Sequence, residues 1–340
     1  MRLTVMLAVA ARAALAVVAA SCAAGVESGQ APLHVVATYP GPDGGWDYTT
    51  FDPVHRRLYV SRATGVSALD VDTGTVTGVL VQGSRTHVAL PINSGAEILV
   101  TNAGTGGVFI ANALTGVVRT PLIATGAKPD AAMVEPTRGE VWVMDNGGGG
   151  IALIDPVAGV TVGKIAVDGD LESPATDGAG VVYVTVEDKG EIVVVDVPTR
   201  AVVRYIKLEG CEEPSGLAFV PEGRRLVAAC ANGVAKIVSA DSGAIVATLP
   251  IGPRPDVAIY DPSRKRVFLP TGGDGMMSEI DVAHARVAGV VSTAMGARSI
   301  ALDQRTGRFY LPSGRFQPPA TPGGRPTLVP GTFAILAVGP

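Results

Sequence analysis

The sequence predicts an all-β protein, a seven-bladed β-propeller of four-stranded antiparallel blades, and three observations predict it. Residues 211–252 contain four short apolar runs separated by three turn sequences, as expected of four successive strands. This pattern repeats along the chain with a period of about 42 residues, the length of one propeller blade. The last repeat is one strand short, and a lone strand near the N-terminus can supply it.

The elements follow in chain order. His34–Tyr39 is predicted to be a lone strand, because it matches Ile245–Leu249, the fourth strand of a later repeat. Seven repeats then follow, with these bounds: Asp47–Val81, His87–Ala124, Pro129–Val167, Asp170–Leu208, residues 211–252, Arg254–Thr293, and a last repeat that begins at Ala297.

Two landmarks fix the register of the repeats. The turn between the first and second strands recurs at Asp52, Glu135, Asp177, Pro221, Asp261 and Asp303. The end of the third strand recurs at Asp70, Asn112, Asp155, Asp196, Ser239 and Asp281, at spacings of 41 to 43 residues. A period this steady over six repeats predicts a ring of equivalent blades.

The last blade is predicted to close with three strands from the C-terminus and one from the N-terminus. If His34–Tyr39 completes this blade, neither end of the array exposes an unpaired strand edge. The long segment between Pro312 and Gly331 is rich in proline, which excludes a helix or a central strand. We expect an ordered loop that lies across one face.

Residues 1–24 have the features of a secretory signal: a basic start, an apolar stretch and small residues at the end. A retained membrane helix is disfavoured because Arg12 interrupts the apolar stretch. The sequence Ala-Ala-Ser-Cys resembles a bacterial lipobox, in which Cys22 would be lipidated. Residues 25–32 are then a tether and residues 33–340 a single propeller domain. Export is expected, and a periplasmic protein, an outer-membrane lipoprotein and a secreted protein all remain open.

The composition excludes some classes of protein. Apolar residues make up 47% of the chain and charged residues 17%, which argues against disorder. The net charge of −4 and the absence of a Lys/Arg-rich run argue against avid nucleic-acid binding. A monomer is expected, with no membrane contact other than a lipid at Cys22.

Several local motifs resemble those of a known family. Residues 98–102 read Ile-Leu-Val-Thr-Asn, and looser copies occur at residues 58–61, 182–185 and 309–312. The stretches CEEPSGLAF, RRLVAACANG and GARSIALDQRTGRFYLP add to the likeness. The chain thus resembles the YVTN-repeat, YncE-like family of exported bacterial seven-bladed propellers. The resemblance implies a fold and export, but no single activity. Gly272–Met277 departs from the turn pattern of the family.

Cys211 and Cys230 are predicted to lie at the same end of one blade, because a strand hairpin separates them. In an exported protein, such a pair most simply forms a disulfide. Two free buried thiols, or a functional pair that binds metal or reacts, are the alternatives.

A ring of polar residues is predicted at the mouth of the central channel, because the residues just before each first strand converge there. They are Trp46, Asp47, Arg85, His87, Lys128, Asp130, Glu172, Glu212, Glu213, Arg254, Asp256 and Arg298. Loops between second and third strands add Arg62, Asn102, Asp145, Asn146, Glu187, Asp188, Lys189, Asn232, Asp274 and Arg315. The mouth could hold a polar or anionic ligand, with Arg85, Arg254 and Arg298 as donors. The alternative is a solvated rim whose charges pair with one another.

No catalytic residue, resident metal or cofactor is assigned from the sequence. His55 and His284 lie in turns of the opposite face from His87, so the histidines cannot form one metal site. Cys-x-x-Cys-His, His-Glu-x-x-His and Gly-x-Ser-x-Gly are absent. The Gly-rich Asn146–Gly150 segment lacks the lysine and helix of a phosphate-binding loop and is predicted to be a turn.

The sequence therefore favours a non-catalytic scaffold that binds a protein or a small polar or anionic ligand through its channel mouth. One alternative is a lactonase-like or metal-assisted hydrolase at the same place. Its divalent metal would be held by Asp47, Asp130, Glu172, Glu213 or Asp256. A second alternative is weak binding of single-stranded nucleic acid.

Overall fold

The computed structural model describes residues 31–147, 149–318 and 326–340. The predicted signal sequence, Cys22 and most of the tether lie outside these residues. The propeller is the compact unit Pro32–Pro340, and the other unit, Met1–Ala31, is almost wholly outside the description. Among the described residues, no helix has the length and apolar character needed to cross a membrane.

Seven four-stranded antiparallel sheets form the blades, which confirms the predicted fold class. The first blade consists of β2 (Trp46–Asp52), β3 (Arg57–Arg62), β4 (Gly65–Asp70) and β5 (Val76–Gln82). The second consists of β6 (Ala89–Ile92), β7 (Glu97–Asn102), β8 (Gly107–Asn112) and β9 (Val118–Ala124). The third consists of β10 (Pro129–Glu135), β11 (Glu140–Asp145), β12 (Gly150–Asp155) and β13 (Val160–Ile165).

The fourth blade consists of β14 (Leu171–Thr176), β15 (Val181–Val186), β16 (Glu191–Asp196) and β17 (Ala201–Lys207). The fifth consists of β18 (Pro214–Val220), β19 (Arg225–Cys230), β20 (Val234–Ser239) and β21 (Ile245–Pro250). The sixth consists of β22 (Ile259–Asp261), β23 (Arg266–Thr271), β24 (Met276–Asp281) and β25 (Arg286–Ser292). Each blade orders its strands as they occur in the chain, with the first strand innermost.

The seventh blade combines both ends of the chain, as predicted. Its strands are ordered β1 (His34–Pro40), β30 (Ala334–Gly339), β27 (Arg308–Ser313) and β26 (Ala301–Asp303). The N-terminal strand β1 runs antiparallel to β30, with His34 opposite Gly339 and Pro40 opposite Ala334. The ring is thereby closed through backbone hydrogen bonds rather than through a covalent link.

The turns use short acidic or amide side chains, which explains the two landmarks of the sequence. At the end of β4, Oδ1 of Asp70 accepts hydrogen bonds from the backbone N–H groups of Asp72 and Thr73. Asn112 and Asp155 accept equivalent pairs of bonds in later blades. Such side chains stabilise a tight turn because they satisfy its free backbone donors.

The core lies between neighbouring blades, because each blade is covered on both faces. Trp142 of β11 and Val184 of β15 belong to one buried cluster that joins blades three and four, and both side chains are fully buried. Tyr183 faces the other way, into the cluster between blades four and five. Alternate side chains of a central strand thus pack against two different neighbours.

Cys211 and Cys230 form a disulfide with a sequence separation of 19, which confirms the predicted pairing. The long segment after Pro312 contains no central strand and no helix among its described residues. It is not entirely a loop, however, because β28 (Phe316–Gln317) pairs with β29 (Thr327–Leu328) in a two-stranded ribbon. Phe316 contacts Trp46, with 5.6 Å between ring centroids.

Candidate functional site

The inner strands of several blades begin with an irregularity that directs side chains toward the channel. In β2, the register shifts between Trp46 and Thr49, so Asp47 and Tyr48 fall outside the regular ladder. Similar shifts follow Pro129, Leu171 and Pro214 at the starts of β10, β14 and β18. A bulge of this kind re-aims a side chain at the edge of a sheet. Asp130 and Glu172 therefore lie at the mouth together with Asp47.

In the second, sixth and seventh blades the inner strand is shorter, so its mouth residue precedes the strand. His87, Asp256 and Arg298 come before β6, β22 and β26 respectively. The carbonyl of His87 accepts a hydrogen bond of 3.0 Å from the backbone N–H of Tyr48, which joins the first two blades at the mouth. Residues from six blades thus meet around one opening.

Asp47, His87 and Asp130 form the centre of the mouth. Nδ1 of His87 lies 2.7 Å from Oδ2 of Asp47 and 3.5 Å from Oδ1 of Asp130. The three side chains offer one ligand atom each within 4.8 Å of one another, a spacing that suits a metal ion. All three are about one-fifth exposed, at 22%, 23% and 17% for His87, Asp47 and Asp130. We call these three residues the inner triad.

Further charged groups surround the inner triad. Nε of Arg298 lies 3.5 Å from Oδ2 of Asp256, and Nη2 lies 4.0 Å from Oδ1 of Asp47. On the other side, Glu172 accepts hydrogen bonds from Nδ2 of Asn146 (3.0 Å) and from the hydroxyl of Tyr48 (3.4 Å). Carboxylates therefore outnumber the cations in this half-buried space.

This excess of carboxylates raises several pKa values. Burial raises the pKa of Asp130 to about 7, with repulsion from Asp47 and Asp256 adding to it and His87 opposing it. Burial and the charge of Asp130 also raise the pKa of Glu172. Burial lowers the pKa of His87, but its hydrogen bond to Asp47 and the charge of Asp130 outweigh this, so its pKa is raised. Without a bound cation, the cluster retains protons that isolated carboxyl groups would lose.

Other predicted ring residues lie further out. Arg85, Lys128, Glu212, Glu213 and Arg254 are exposed. Among the described residues, the side chains of Arg85, Lys128 and Glu213 make no hydrogen bond or ion pair. They form a solvated rim around the inner triad and are not joined to it.

Most of the predicted loop residues stabilise loops instead of facing the channel. The buried Arg62 donates hydrogen bonds to the carbonyls of Pro42, Gly44 and Gly45 and covers the ring of Phe333 at 3.9 Å. Asn102 accepts a bond from the N–H of Ser84, and Lys189 pairs with Asp168. Asn146 and Glu187 are exceptions, since both interact with Glu172 at the mouth, and burial raises the pKa of Glu187.

A cavity of about 750 Å³ lies beside the inner triad. Its walls include Trp46, Arg254, Met295, Arg298, Arg315 and Phe316. Gly45, Gly272 and Gly296 also line it. Arg298 belongs both to this cavity and to the charged cluster, so the two sites share one wall.

The sequence did not single out Tyr48, Met295 or Phe316. Tyr48 faces Glu172 only because of the bulge in β2, and no residue pattern marks that bulge. Phe316 approaches Trp46 only because the ribbon β28–β29 folds back over the mouth. An aromatic residue within a proline-rich segment is the sequence feature that could have marked Phe316 as a residue of the mouth.

Comparisons with known proteins support the fold and leave the family open. No protein-family model matches the chain, and no curated protein matches it. Among solved structures, the chain is similar to hydrazine synthase of Kuenenia stuttgartiensis, with a TM-score of 0.69 and 16% identity, covering 84% of this chain and 95% of that chain. A likeness at this identity concerns the fold alone.

Proposed function

We propose that this protein is an exported, non-catalytic binding scaffold whose channel mouth binds a divalent cation at the inner triad. The observation that carries this proposal is the convergence of three ligand atoms, from three different blades, within 4.8 Å. One imidazole nitrogen and two carboxylates form a donor set that suits Zn²⁺ or Mn²⁺ better than Ca²⁺ or Mg²⁺, which prefer oxygen ligands alone.

The surrounding charges support the same proposal. Asp256 and Glu172 add two more carboxyl groups beside the inner triad, and Nε of Arg298 lies 3.5 Å from Oδ2 of Asp256. A buried excess of carboxylates is costly unless protons or a cation neutralise it. A divalent cation would replace the protons that Asp130 and its neighbours otherwise hold.

In the experiment, metal-free protein is titrated with ZnCl₂ and, separately, with MnCl₂, and binding is measured by isothermal titration calorimetry. We expect one equivalent to bind at pH 7.5, and binding to be lost in His87→Ala and in Asp130→Asn. His284→Ala is the matched control, because Nδ1 of His284 lies 2.9 Å from Asp281 on the opposite face. Absence of saturable binding, or equal loss in the control, would refute the proposal.

The alternatives from the sequence are tested with the same samples. A lactonase-like or metal-assisted hydrolase would turn over lactones in the zinc-loaded form and lose that activity in His87→Ala. Weak binding of single-stranded nucleic acid is disfavoured by the carboxylates of the mouth, which repel phosphates. Turnover by the zinc-loaded protein would replace the non-catalytic role by an enzymatic one.

Export is supported by the disulfide, since such bonds persist mainly in oxidising compartments. We propose that residues 1–24 direct export and that the chain is a member of the YVTN-repeat, YncE-like family, as its motifs suggest. Fractionation of cells that produce the wild-type chain and Cys22→Ser tests the lipid anchor. A lipoprotein would move from the membrane fraction to the soluble envelope fraction on this substitution, and a free protein would not.

A further inference from the structure

The cavity beside the inner triad has the size and walls of a small-molecule site. Its volume of about 750 Å³ falls within the range of about 300–1,000 Å³ typical of such sites. Trp46 and Phe316 form an aromatic wall, with 5.6 Å between their ring centroids. Met295 adds a flexible apolar side chain that is half exposed, at 51%. An apolar or aromatic body would therefore find contacts on more than one side.

The cavity is also strongly cationic. Arg254, Arg298 and Arg315 all line it, and none of the described residues that line it is acidic. Within the part of the chain that the structure describes, the guanidinium groups of Arg254 and Arg315 make no hydrogen bond or ion pair. Arg298 is held in place by Asp256 and Asp47. Two guanidinium groups are thus available for an incoming anion.

Glycines keep this space open. A Cβ at Gly296 would come within 2.8 Å of the Phe316 ring and 3.3 Å of Trp46, and the backbone there has φ +80°. A Cβ at Gly272 would lie 3.1 Å from Cβ of Arg298. Side chains at these two positions would push against the aromatic wall and Arg298. At Gly45, by contrast, a Cβ meets no atom within 4 Å, so a larger residue fits there.

We propose that this cavity binds a small organic anion that carries a carboxylate on a flat, apolar body. The guanidinium groups of Arg254 and Arg315 would bind the carboxylate through paired N–H donors. Trp46 and Phe316 would contact the flat body by offset or edge-to-face stacking. This site is separate from the proposed cation site, since none of its ligand atoms comes from His87 or Asp130.

The test uses 1-naphthoate as the probe and tryptophan fluorescence as the readout. The chain has two tryptophans, Trp46 in the cavity wall and Trp142 in the core. Trp142→Phe therefore leaves a single reporter at the cavity, and calorimetry on the wild-type chain provides an independent reading. We expect saturable binding of 1-naphthoate, with 1-naphthamide and acetate binding at least about tenfold more weakly, because each lacks one half of the recognised chemistry.

Variants then assign the binding to the named residues. Arg254→Ala/Arg315→Ala is expected to weaken binding by at least about tenfold, since bonds to charged groups are the strongest in such sites. Arg85→Ala is the matched control, because Arg85 (φ 53°) shares the left-handed backbone of Arg254 (φ 59°) but does not line the cavity. Gly45→Phe should weaken binding by filling the space while leaving all three arginines in place.

The proposal for the cavity and the proposal for the cation site can be refuted independently of each other. If 1-naphthoate binds the metal-free protein and His87→Ala as well as the wild-type chain, the cavity stands whatever the outcome for the cation. Absence of binding to a folded wild-type chain, equal affinity for 1-naphthamide, or equal losses in Arg85→Ala and Arg254→Ala/Arg315→Ala would each overturn the proposal. Thermal melts of every variant confirm that it is folded.

Discussion

Asp130 makes the stability of the metal-free protein depend on pH. Its pKa is raised from 3.8 to about 7, so between these values the folded state holds a proton that the unfolded state has lost. Stability therefore falls as the pH rises through this window. His87 acts in the same direction, because its raised pKa contributes stability that is lost as the pH rises through the folded value.

We accordingly expect the melting temperature of metal-free protein to fall between pH 5 and pH 8. Asp130→Asn should flatten part of this slope, whereas His284→Ala should leave it unchanged. Added Zn²⁺ should raise the melting temperature more at pH 8 than at pH 5, because protons compete with the metal for the same ligands. A larger zinc effect at pH 5 would contradict this linkage.

Asp303, on the face opposite the channel mouth, makes the stability of the fold depend on pH in the opposite direction. Its side chain is 1% exposed and lies 3.0 Å from Nη2 of Arg56, which joins the seventh blade to the first. Burial raises the pKa of Asp303, but Arg56 and Thr306 outweigh it and leave it lowered. The stabilisation is thus present above the ordinary pKa and is lost as the pH falls through the lowered one.

Asp303→Asn is expected to destabilise the folded state by about 1–3 kcal/mol at pH 7, since Arg56 loses its buried charged partner. The measurement is denaturant unfolding at pH 7 and pH 4. Arg305→Ala is the control, because the Arg305 side chain is 66% exposed and, within the described part of the chain, forms an ion pair with the exposed Asp72 alone. Equal effects of the two substitutions would argue against a stabilising role for the buried pair.

At the level of single residues, the sequence predicted the positions of the mouth residues but not their contacts. Repeat register alone placed Asp47, His87 and Asp130 before equivalent strands. Their approach to within 4.8 Å depends on bulges in β2 and β10, which require backbone geometry that residue types do not specify. The same limit explains why Arg62 was expected at the mouth, although its side chain stabilises residues 42–45.

At the level of elements, the disulfide was predictable because the hairpin of β18 and β19 in the fifth blade fixes the distance between its ends. Pro214 pairs with Cys230 in that hairpin, and Cys211 lies just before Pro214. The ribbon β28–β29 was not predictable, because its strands are only two residues long. Both of its strands pack against the cluster that contains Trp46, through Phe316 and Leu328, a long-range contact that residue types do not specify.

Loss of the disulfide should weaken the fifth blade without opening the ring. A closed loop with a sequence separation of 19 contributes about 3 kcal/mol in the chain-entropy description. For a domain of this size we expect Cys211→Ser/Cys230→Ser to melt about 3–6 °C lower. Reductant should lower the melting temperature of the wild-type chain and leave that of the double variant unchanged. A response of both proteins to reductant would point to another cause.

At the level of the whole molecule, the period of the repeat was sufficient to predict blade number and closure. Seven repeats, one incomplete, leave a single way to pair every strand, and β1 takes that place beside β30. The prediction of ring closure succeeded because closure depends on the number of strands, which the repeats reveal. The cavity was not predictable, since its walls come from segments far apart in the sequence, among them residues 45–46, 254, 295–298 and 315–316.

Removal of β1 should destabilise the ring as a whole. Leu33, just before the strand, and Val35 pack against one buried cluster, and Tyr39 packs against another. Loss of the strand also exposes the edge of β30. We expect deletion of residues 33–40 to lower the melting temperature by about 5–10 °C. A synthetic peptide of residues 33–41, added in trans, should restore much of the loss, whereas a scrambled peptide should not. Failure of both peptides to act would mean that β1 contributes little to closure.

The pairing of β1 with β30 also determines which face of the propeller carries the ends of these two strands. His34 and Gly339 are opposite each other at the end of the seventh blade that carries the turn between β26 and β27. Residues before β26, including Arg298, lie at the other end. A bead, a dye or a sensor chip coupled beside His34 or Gly339 therefore lies on the face opposite the channel mouth, which then points into free solution.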